Sequence, residues 1–264
     1  MNTLDKAHEL QRLHADPELL LLVNVWDAIT AKVVADTPGT TALATASHSV
    51  AAAYGYPDGE QIPRDLMVEA VGRIAAAVDL PVTADLEAGY GDPGGTIARA
   101  IDVGIVGANL EDQLKPLPDA VRAVSDAVAA GERAGIPFVL NARTDAYMLR
   151  HPDAFAETVR RAERYLAAGA DCIFVPGVSA AEEIGRLTAA IGAPVNVVSG
   201  LVAPVLDAAT LRSLGVARIS VGGTLTRAVL TLIGEAAREM AEHGTFGFAR
   251  GAIPYAELQQ RFSR

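Results

Sequence analysis

Cysteine is nearly missing from this sequence: Cys172 is the one thiol in 264 residues. An internal disulfide framework is therefore excluded, and a lone thiol fits a reducing compartment. Basic residues are in deficit, with 22 Lys and Arg against 32 Asp and Glu and a formal net charge of −10. That balance argues against nonspecific nucleic-acid binding, which needs a basic patch. It leaves anionic substrates open, because a site can be locally positive on an acidic protein. Long apolar runs of membrane-spanning length are lacking, and the first residues, MNTLDKAHEL, do not have the basic-then-apolar layout of a signal peptide. We expect a soluble cytoplasmic protein with neither membrane nor nucleic acid as partner. No Gly-x-Gly-x-x-Gly follows the first strand-like run, which counts against a dinucleotide-binding open sheet.

What is present is a regular alternation. Half the residues are hydrophobic, enough for a large core in one domain. Short apolar or β-branched runs at 19–25, 41–46, 80–86, 105–111, 136–142, 171–175, 194–199 and 217–221 read as strands. Between them, Ala-rich stretches at 28–36, 63–78, 94–103, 118–134, 153–168, 179–190, 207–214 and 223–242 carry helical spacing. Turns such as AGIP and LGVA put Gly after a helix and lead into a strand. Near-continuous apolar strands imply a parallel sheet covered by helices. Eight such units most simply close into a (β/α)8 TIM barrel, an α/β fold, over residues 1–264 as a single domain. Residues 3–14, within an N-terminal segment 1–18, read as an extra helix capping the barrel, and the tail 245–264 holds a short helix near 254–262.

In such a barrel the active site lies at the C-terminal ends of the strands. The stretch VTADLEAGYGD (82–92) ends one strand in Asp85 and Glu87. Pleat alternation would put Thr83, Asp85 and Glu87 on one side. The neighbouring strand ends in Asn109, Glu111 and Asp112, and the next in Asn141, Arg143 and Asp145. Asp58 follows the second strand, beyond Ser47 and His48. Carboxylates converging on one mouth repel unless a cation or protons compensate. With no Cys/His cluster to favour zinc, oxygen ligands point to Mg2+, with Mn2+ possible. Such an ion would stabilise a developing enolate, and Arg143 would grip a carboxylate or phosphate bidentately.

Six motifs, NVWDAITAKV (24–33), GYPDGE (55–60), ADLEAGYGD (84–92), GANLED (107–112), NARTDAY (141–147) and GADCIFVPG (169–177), occur in one order along the chain. In that order and spacing the sequence resembles the isocitrate lyase/phosphoenolpyruvate mutase superfamily, in its phosphoenolpyruvate phosphomutase-like branch, over essentially its whole length. The resemblance implies a (β/α)8 barrel whose last helix is exchanged between subunits of a dimer or tetramer. It also implies Mg2+ and chemistry on small α-oxo or 2-hydroxy carboxylates. By the same resemblance Asp58, Asp85, Glu87 and Glu111 are metal-shell carboxylates, most reaching the ion through water. Arg143 falls on the substrate-binding arginine, Ser47 and His48 on positions that hold the substrate carboxylate, and Asp27 on a polar position of the first strand. Asn196, at the end of the seventh strand, is added as a substrate-binding residue.

Departures from the family pattern narrow the activity. Lyases of this superfamily carry a Lys-Lys-Cys-Gly-His-type loop after the fourth strand, whose Cys acts as acid/base. Here the region reads EDQLKPLPDAV (111–121), without Cys or His. The phosphomutase Lys-Thr-Asn-Ser loop is also missing, with only Lys115 near, and position 176 is Pro where the phosphomutase has His. The leading expectation is a Mg2+-dependent carbon–carbon lyase working through an enolate, with Arg143, His48 and Lys115 as catalytic candidates. Alternatives are P–C bond chemistry on a phosphonopyruvate-like substrate, or a non-catalytic carboxylate-binding relative.

Several residues carry a plainer reading beside the functional one. Arg143 could be a structural ion pair with Glu111 or Asp145, and His48 a satisfied polar group. Lys115 could be a solvated loop charge. Cys172, at the start of a strand, reads as a core thiol, and RRAER (160–164) as a solvated helix face.

Overall fold

The computed structural model describes residues 1–262. They divide into two compact units, Met1–Gly222 and the segment from Gly223 onward. The first unit begins with helix α1 (Thr3–Ala15), capped by the Asn2 side chain accepting from the Asp5 N–H. The first strand follows in two pieces, β1 (Leu20–Leu22) and β2 (Asn24–Val25). Helix α2 (Ala28–Ala35), β3 (Leu43–Thr45), α3 (Ser47–Ala53) and α4 (Arg64–Ala76) come next. From there strand and helix alternate: β4 (Val82–Asp85), α5 (Pro93–Asp102), β5 (Gly107–Glu111), α6 (Leu117–Ala134), β6 (Val139–Arg143) and α7 (Ala154–Ala167). The unit ends with β7 (Cys172–Phe174), α8 (Ala181–Ile191), β8 (Val195–Val198), α9 (Ala208–Ser213) and β9 (Arg218–Ser220).

All strand pairings are parallel, and β1 pairs with β9 while β2 pairs with β3, so the split first strand closes the ring. Asn24 sits at the break and uses its whole amide there. Its Nδ2 donates to Thr45 O at 2.7 Å, and its Oδ1 accepts from Val221 N and Gly222 N, both at 2.8 Å. The expected (β/α)8 barrel is thus the fold; most expected strands are shorter than read, and the one expected at 136–142 is shifted to Val139–Arg143.

The strands are buried along nearly their whole length, as their apolar composition requires. In β4, β5 and β6 the last residue alone is partly exposed, and those residues are Asp85, Glu111 and Arg143. The opposite end of the barrel is plugged by α1. Ala7, Leu10 and Leu13 pack against Leu20, Leu22, Ala42, Ala44 and Val139, and a Cβ on Gly107 would lie 2.7 Å from Leu10 Cδ2. Each fully buried Leu or Ile contributes roughly 1.5–3 kcal/mol. On the outside, buried Ala120, Ala127 and Ala130 leave room for close packing of α5 and α6, where Gly94 faces the Asp126 carbonyl.

Three local readings change. The segment after β3 is helix α3, so Ser47 and His48 open a helical turn instead of ending a strand. Strand β4 stops at Asp85, and Glu87 has a left-handed φ of 54°, so pleat alternation does not place it. Arg161, read as part of a solvated face, is buried at 4% exposure. It pairs with Asp112 and Glu157. Cys172 is a fully buried core thiol, as expected, and burial pushes it up to about 12.

The second unit consists of α10 (Thr224–His243), a 3-10 turn (Gly247–Ala249) and α11 (Tyr255–Phe262). Glu239 accepts from Thr245 Oγ1 at 2.6 Å and from the Gly247 N–H, folding the chain back on the end of α10. Leu230, Leu232, Ile233 and Met240 of α10 are exposed. Among the described residues no helix is long and apolar enough to cross a membrane.

Candidate active site

Strand register puts the charged residues side by side: Glu111 lies opposite Arg143, and Asp85 opposite Asn109. The Arg143 guanidinium is shared. Its Nη1 lies 2.7 Å from Glu111 Oε2 and its Nε donates to Asp145 Oδ1 at 2.7 Å. Its face lies over the Phe174 ring, 5.8 Å from the centroid. Gln113 adds a hydrogen bond from Nε2 to Glu111 Oε1 at 3.1 Å. Burial alone would lower the guanidinium; Asp145, Glu111 and Asp85 outweigh it and hold Arg143 firmly charged. Burial pushes Glu111 up to about 7, more than Arg143 can offset, and the charges of Asp145 and Asp85 push the same way.

Asp85 faces Ser47. Its Oδ2 accepts from Ser47 N at 3.1 Å and from Ser47 Oγ at 2.8 Å. Its own N–H donates to Thr45 Oγ1 at 3.0 Å. Glu87 is buried, with Oε1 accepting from the Tyr90 hydroxyl at 2.9 Å and Oε2 accepting from the Glu60 N–H. Burial raises its pKa, the two hydrogen bonds oppose, and Asp85 and Asp58 add to the rise. Asp85 is thus felt by both Glu87 and Glu111, and Asp58 by Glu87: one electrostatically linked set.

The loop after Glu111 is pinned. Asp112 Oδ1 accepts from Leu114 N at 2.9 Å and Asp145 N at 3.0 Å. Its Oδ2 takes Arg161 Nη1 at 3.1 Å and the Tyr165 hydroxyl at 2.7 Å. Arg161 Nη2 also donates to Lys115 O at 3.0 Å. A cleft of about 150 Å³ opens beside this loop, with Glu111, Lys115, Arg143 and Tyr165 in its lining.

Ser47, Asp85, Glu87, Glu111 and Arg143 therefore stand together, with Asp58 exposed on the loop above Glu87. His48 and Lys115 are exposed at the rim. Asp27 is occupied as the N-cap of α2, in a reciprocal capping box with Thr30 at 2.8 Å. Asn196 is fully buried in the barrel wall, its Nδ2 3.3 Å from Ser220 Oγ. Tyr90, Glu60, Gln113 and Arg161 join the site as partners that the sequence does not signal. Glu60 and Tyr90 stand inside GYPDGE and ADLEAGYGD, but nothing in spacing joins position 60 to position 90. Below the carboxylates lies Arg218, buried, donating to Asn109 Oδ1 at 3.2 Å and facing His14 Nε2 at 3.2 Å. Burial lowers it to about 10, against the charges of Cys172 and Asp85.

Among the described residues no three His, Cys, Asp or Glu side chains close on a point as a ready metal cage. The donor set is nonetheless all carboxylate oxygen, and Glu87 and Glu111 are both raised, first by burial and then by the neighbouring carboxylates. That fits a hard divalent ion held by one or two carboxylates and several waters.

Comparison with known proteins gives the family. The profile of the phosphoenolpyruvate phosphomutase family matches residues 10–241. An uncharacterized protein of Mycobacterium tuberculosis is 36% identical over 251 residues, 94% of each chain. A solved lyase/mutase candidate from Burkholderia cenocepacia is 38% identical, covers 99% of this chain and 97% of its own, and superposes with a TM-score of 0.93. The 2,3-dimethylmalate lyase of Eubacterium barkeri is 29% identical over 231 residues, 81% of this chain and 78% of that enzyme. A 2-methylisocitrate lyase of Shewanella oneidensis is 31% identical over 203 residues, 69% of this chain and 66% of that enzyme. The chain belongs to the phosphoenolpyruvate phosphomutase family, within the isocitrate lyase/phosphoenolpyruvate mutase superfamily.

Proposed function

We propose that this chain is a Mg2+-dependent carbon–carbon lyase acting on a small 2-hydroxy or α-oxo carboxylate through an enolate, with Mn2+ able to replace Mg2+. The observation that carries the reading is the meeting of Asp85, Glu111 and Arg143 at the ends of three adjacent strands, with Glu111 raised to about 7. Asp85 would hold the ion, its Oδ1 lying outside the two hydrogen bonds that Ser47 makes to Oδ2. Glu87, Glu111 and Asp58 would hold it with Asp85, most of them through water. When bound, the ion supplies the positive charge that stabilises a developing enolate.

The chain's own residues do the rest. Arg143 orients the substrate carboxylate by exchanging one of its two carboxylate partners for it. Ser47 and His48 hold the carboxylate from the α3 side. A base, for which His48, Tyr54 and Lys115, all exposed, are the candidates, removes the substrate's hydroxyl proton. The carbonyl forms as the adjacent C–C bond breaks, the electron pair passes to the enolate of the departing fragment, and a proton returns to its carbon. A second reading, P–C bond chemistry on a phosphonopyruvate-like substrate, rests on Lys115 lining the same cleft as Arg143, beside Glu111, Asp112 and Asp119. A cytoplasmic homo-oligomer, formed by exchange of the helix at 223–242, completes the proposal; a monomeric mass in light scattering refutes the exchange.

The test is thermal unfolding with Mg2+ crossed with oxalate, an analogue of the pyruvate enolate, followed by turnover of oxaloacetate and substituted malates. Together the two should raise the melting temperature more than either alone, and Glu111→Ala should abolish turnover. No shift with either ligand at saturating concentration counts against the metal–enolate site.

A further inference from the structure

Three non-glycine residues at the barrel mouth hold left-handed backbone angles: Glu60 at φ 59°, Glu87 at 54° and Tyr90 at 55°. Residues with a Cβ avoid this region, and such angles persist only where the surroundings over-determine them. Here the three share one ring of hydrogen bonds. The Glu60 N–H donates to Glu87 Oε2, the Tyr90 N–H donates to Glu60 Oε1 at 2.5 Å, and the Tyr90 hydroxyl donates to Glu87 Oε1 at 2.9 Å. Both oxygens of Glu87 are held, each by a different residue. Glu60 takes part twice, once through its N–H and once through its carboxylate. Because Glu60 stands two residues after Asp58, the ring ties the turn that carries Asp58 to the turn that carries Glu87.

We propose that Glu60 and Tyr90 are positioning residues that fix Glu87 in one orientation and dock the Asp58 turn against it, setting both carboxylates toward a divalent cation. The proposal rests on the divalent-cation reading above. Neither residue touches the ion; they act on it through Glu87. Partners that orient ligating groups in this way change metal affinity by about 10- to 100-fold when removed.

The experiment is a titration of the full chain with Mn2+, followed by electron paramagnetic resonance, for wild type, Glu60→Ala, Glu60→Gln and Tyr90→Phe. Metal-free melting temperatures are measured alongside. Glu60→Ala and Tyr90→Phe should each weaken Mn2+ binding by about 10-fold or more, whereas Glu60→Gln, which keeps an acceptor for the Tyr90 N–H, should stay within about threefold of wild type. Tyr90→Phe should do this without a matching loss of metal-free melting temperature. If wild type binds Mn2+ and the variants bind it equally well, the positioning role is overturned and the cation reading stands. Affinity that falls only in step with melting temperature also overturns it, in favour of a purely structural ring. If wild type binds no Mn2+, the cation reading itself fails and takes this proposal with it.

Discussion

Arg161 and Asp112, 49 residues apart, form an ion pair at 3.1 Å with their side chains 5% and 4% exposed. Tyr165 donates to the same carboxylate oxygen, and the other oxygen holds the backbone at Leu114 and Asp145. One buried pair therefore sets the loop after Glu111 and the residue that shares Arg143. Removing one partner of such a pair leaves a charge stranded out of water. Arg161→Met should cost about 3–5 kcal/mol in urea unfolding, and Tyr165→Phe about 1–2 kcal/mol. The double variant should cost less than the sum, since both act on one oxygen. A cost under about 1 kcal/mol for Arg161→Met would mean that water reaches Asp112.

Glu111 gives a pH dependence of defined sign. Its folded pKa of about 7 lies above the ordinary 4.5 because burial disfavours its charge. The protonated carboxyl is thus the form that the metal-free fold favours. Its contribution is complete below about pH 4.5 and is lost as the pH rises through about 7. Glu111→Gln cannot ionise, so its stability relative to wild type should improve between pH 5 and pH 8 by on the order of 2–3 kcal/mol. Urea midpoints at the two pH values decide it. A constant difference would show a solvated carboxylate. Mn2+ affinity of the wild type should rise over the same range, as protons stop competing.

Arg143 uses two different nitrogens on two carboxylates, each at 2.7 Å. A lysine presents a single point charge and cannot reproduce the fork. Arg143→Lys should lower kcat/KM by on the order of 100-fold, about 2.7 kcal/mol. It should also reduce the melting shift produced by oxalate with Mg2+. Retention of both would exclude Arg143 from carboxylate recognition.

Two glycines of the 89–91 turn should separate steric from conformational cost. Gly89 has φ 87°, and a Cβ there would lie 2.7 Å from the Pro93 backbone, which cannot give way. Gly91 has φ 74° with nothing within 4 Å of its Cβ position. Gly91→Ala should cost about 1 kcal/mol, from the backbone alone. Gly89→Ala should cost about 3 kcal/mol, the clash being added to the strain. Equal costs in urea unfolding would mean that the turn moves away from Pro93.

The barrel was legible because its signal is local. Apolar strands and Ala-rich helices alternate at periods that any stretch of the chain carries by itself, and turn residues such as Gly135 end a helix by their own backbone freedom. Asp85, Glu111 and Arg143 were legible for the same reason: each ends a strand, and strand ends face the mouth. The sequence by itself determined the architecture and the carboxylates of the mouth. Only the tertiary structure decided their partners. Arg161 looked like one charge on a solvated helix face, yet it is buried on Asp112, far away in the chain. Glu60 meets Tyr90 across 30 residues through left-handed turns that no hydrophobic period encodes. Glu87 reaches the site by such a turn and not by the pleat. Charge pairing and turn geometry depend on which segments the closed ring brings together, so they exist only once the barrel has formed.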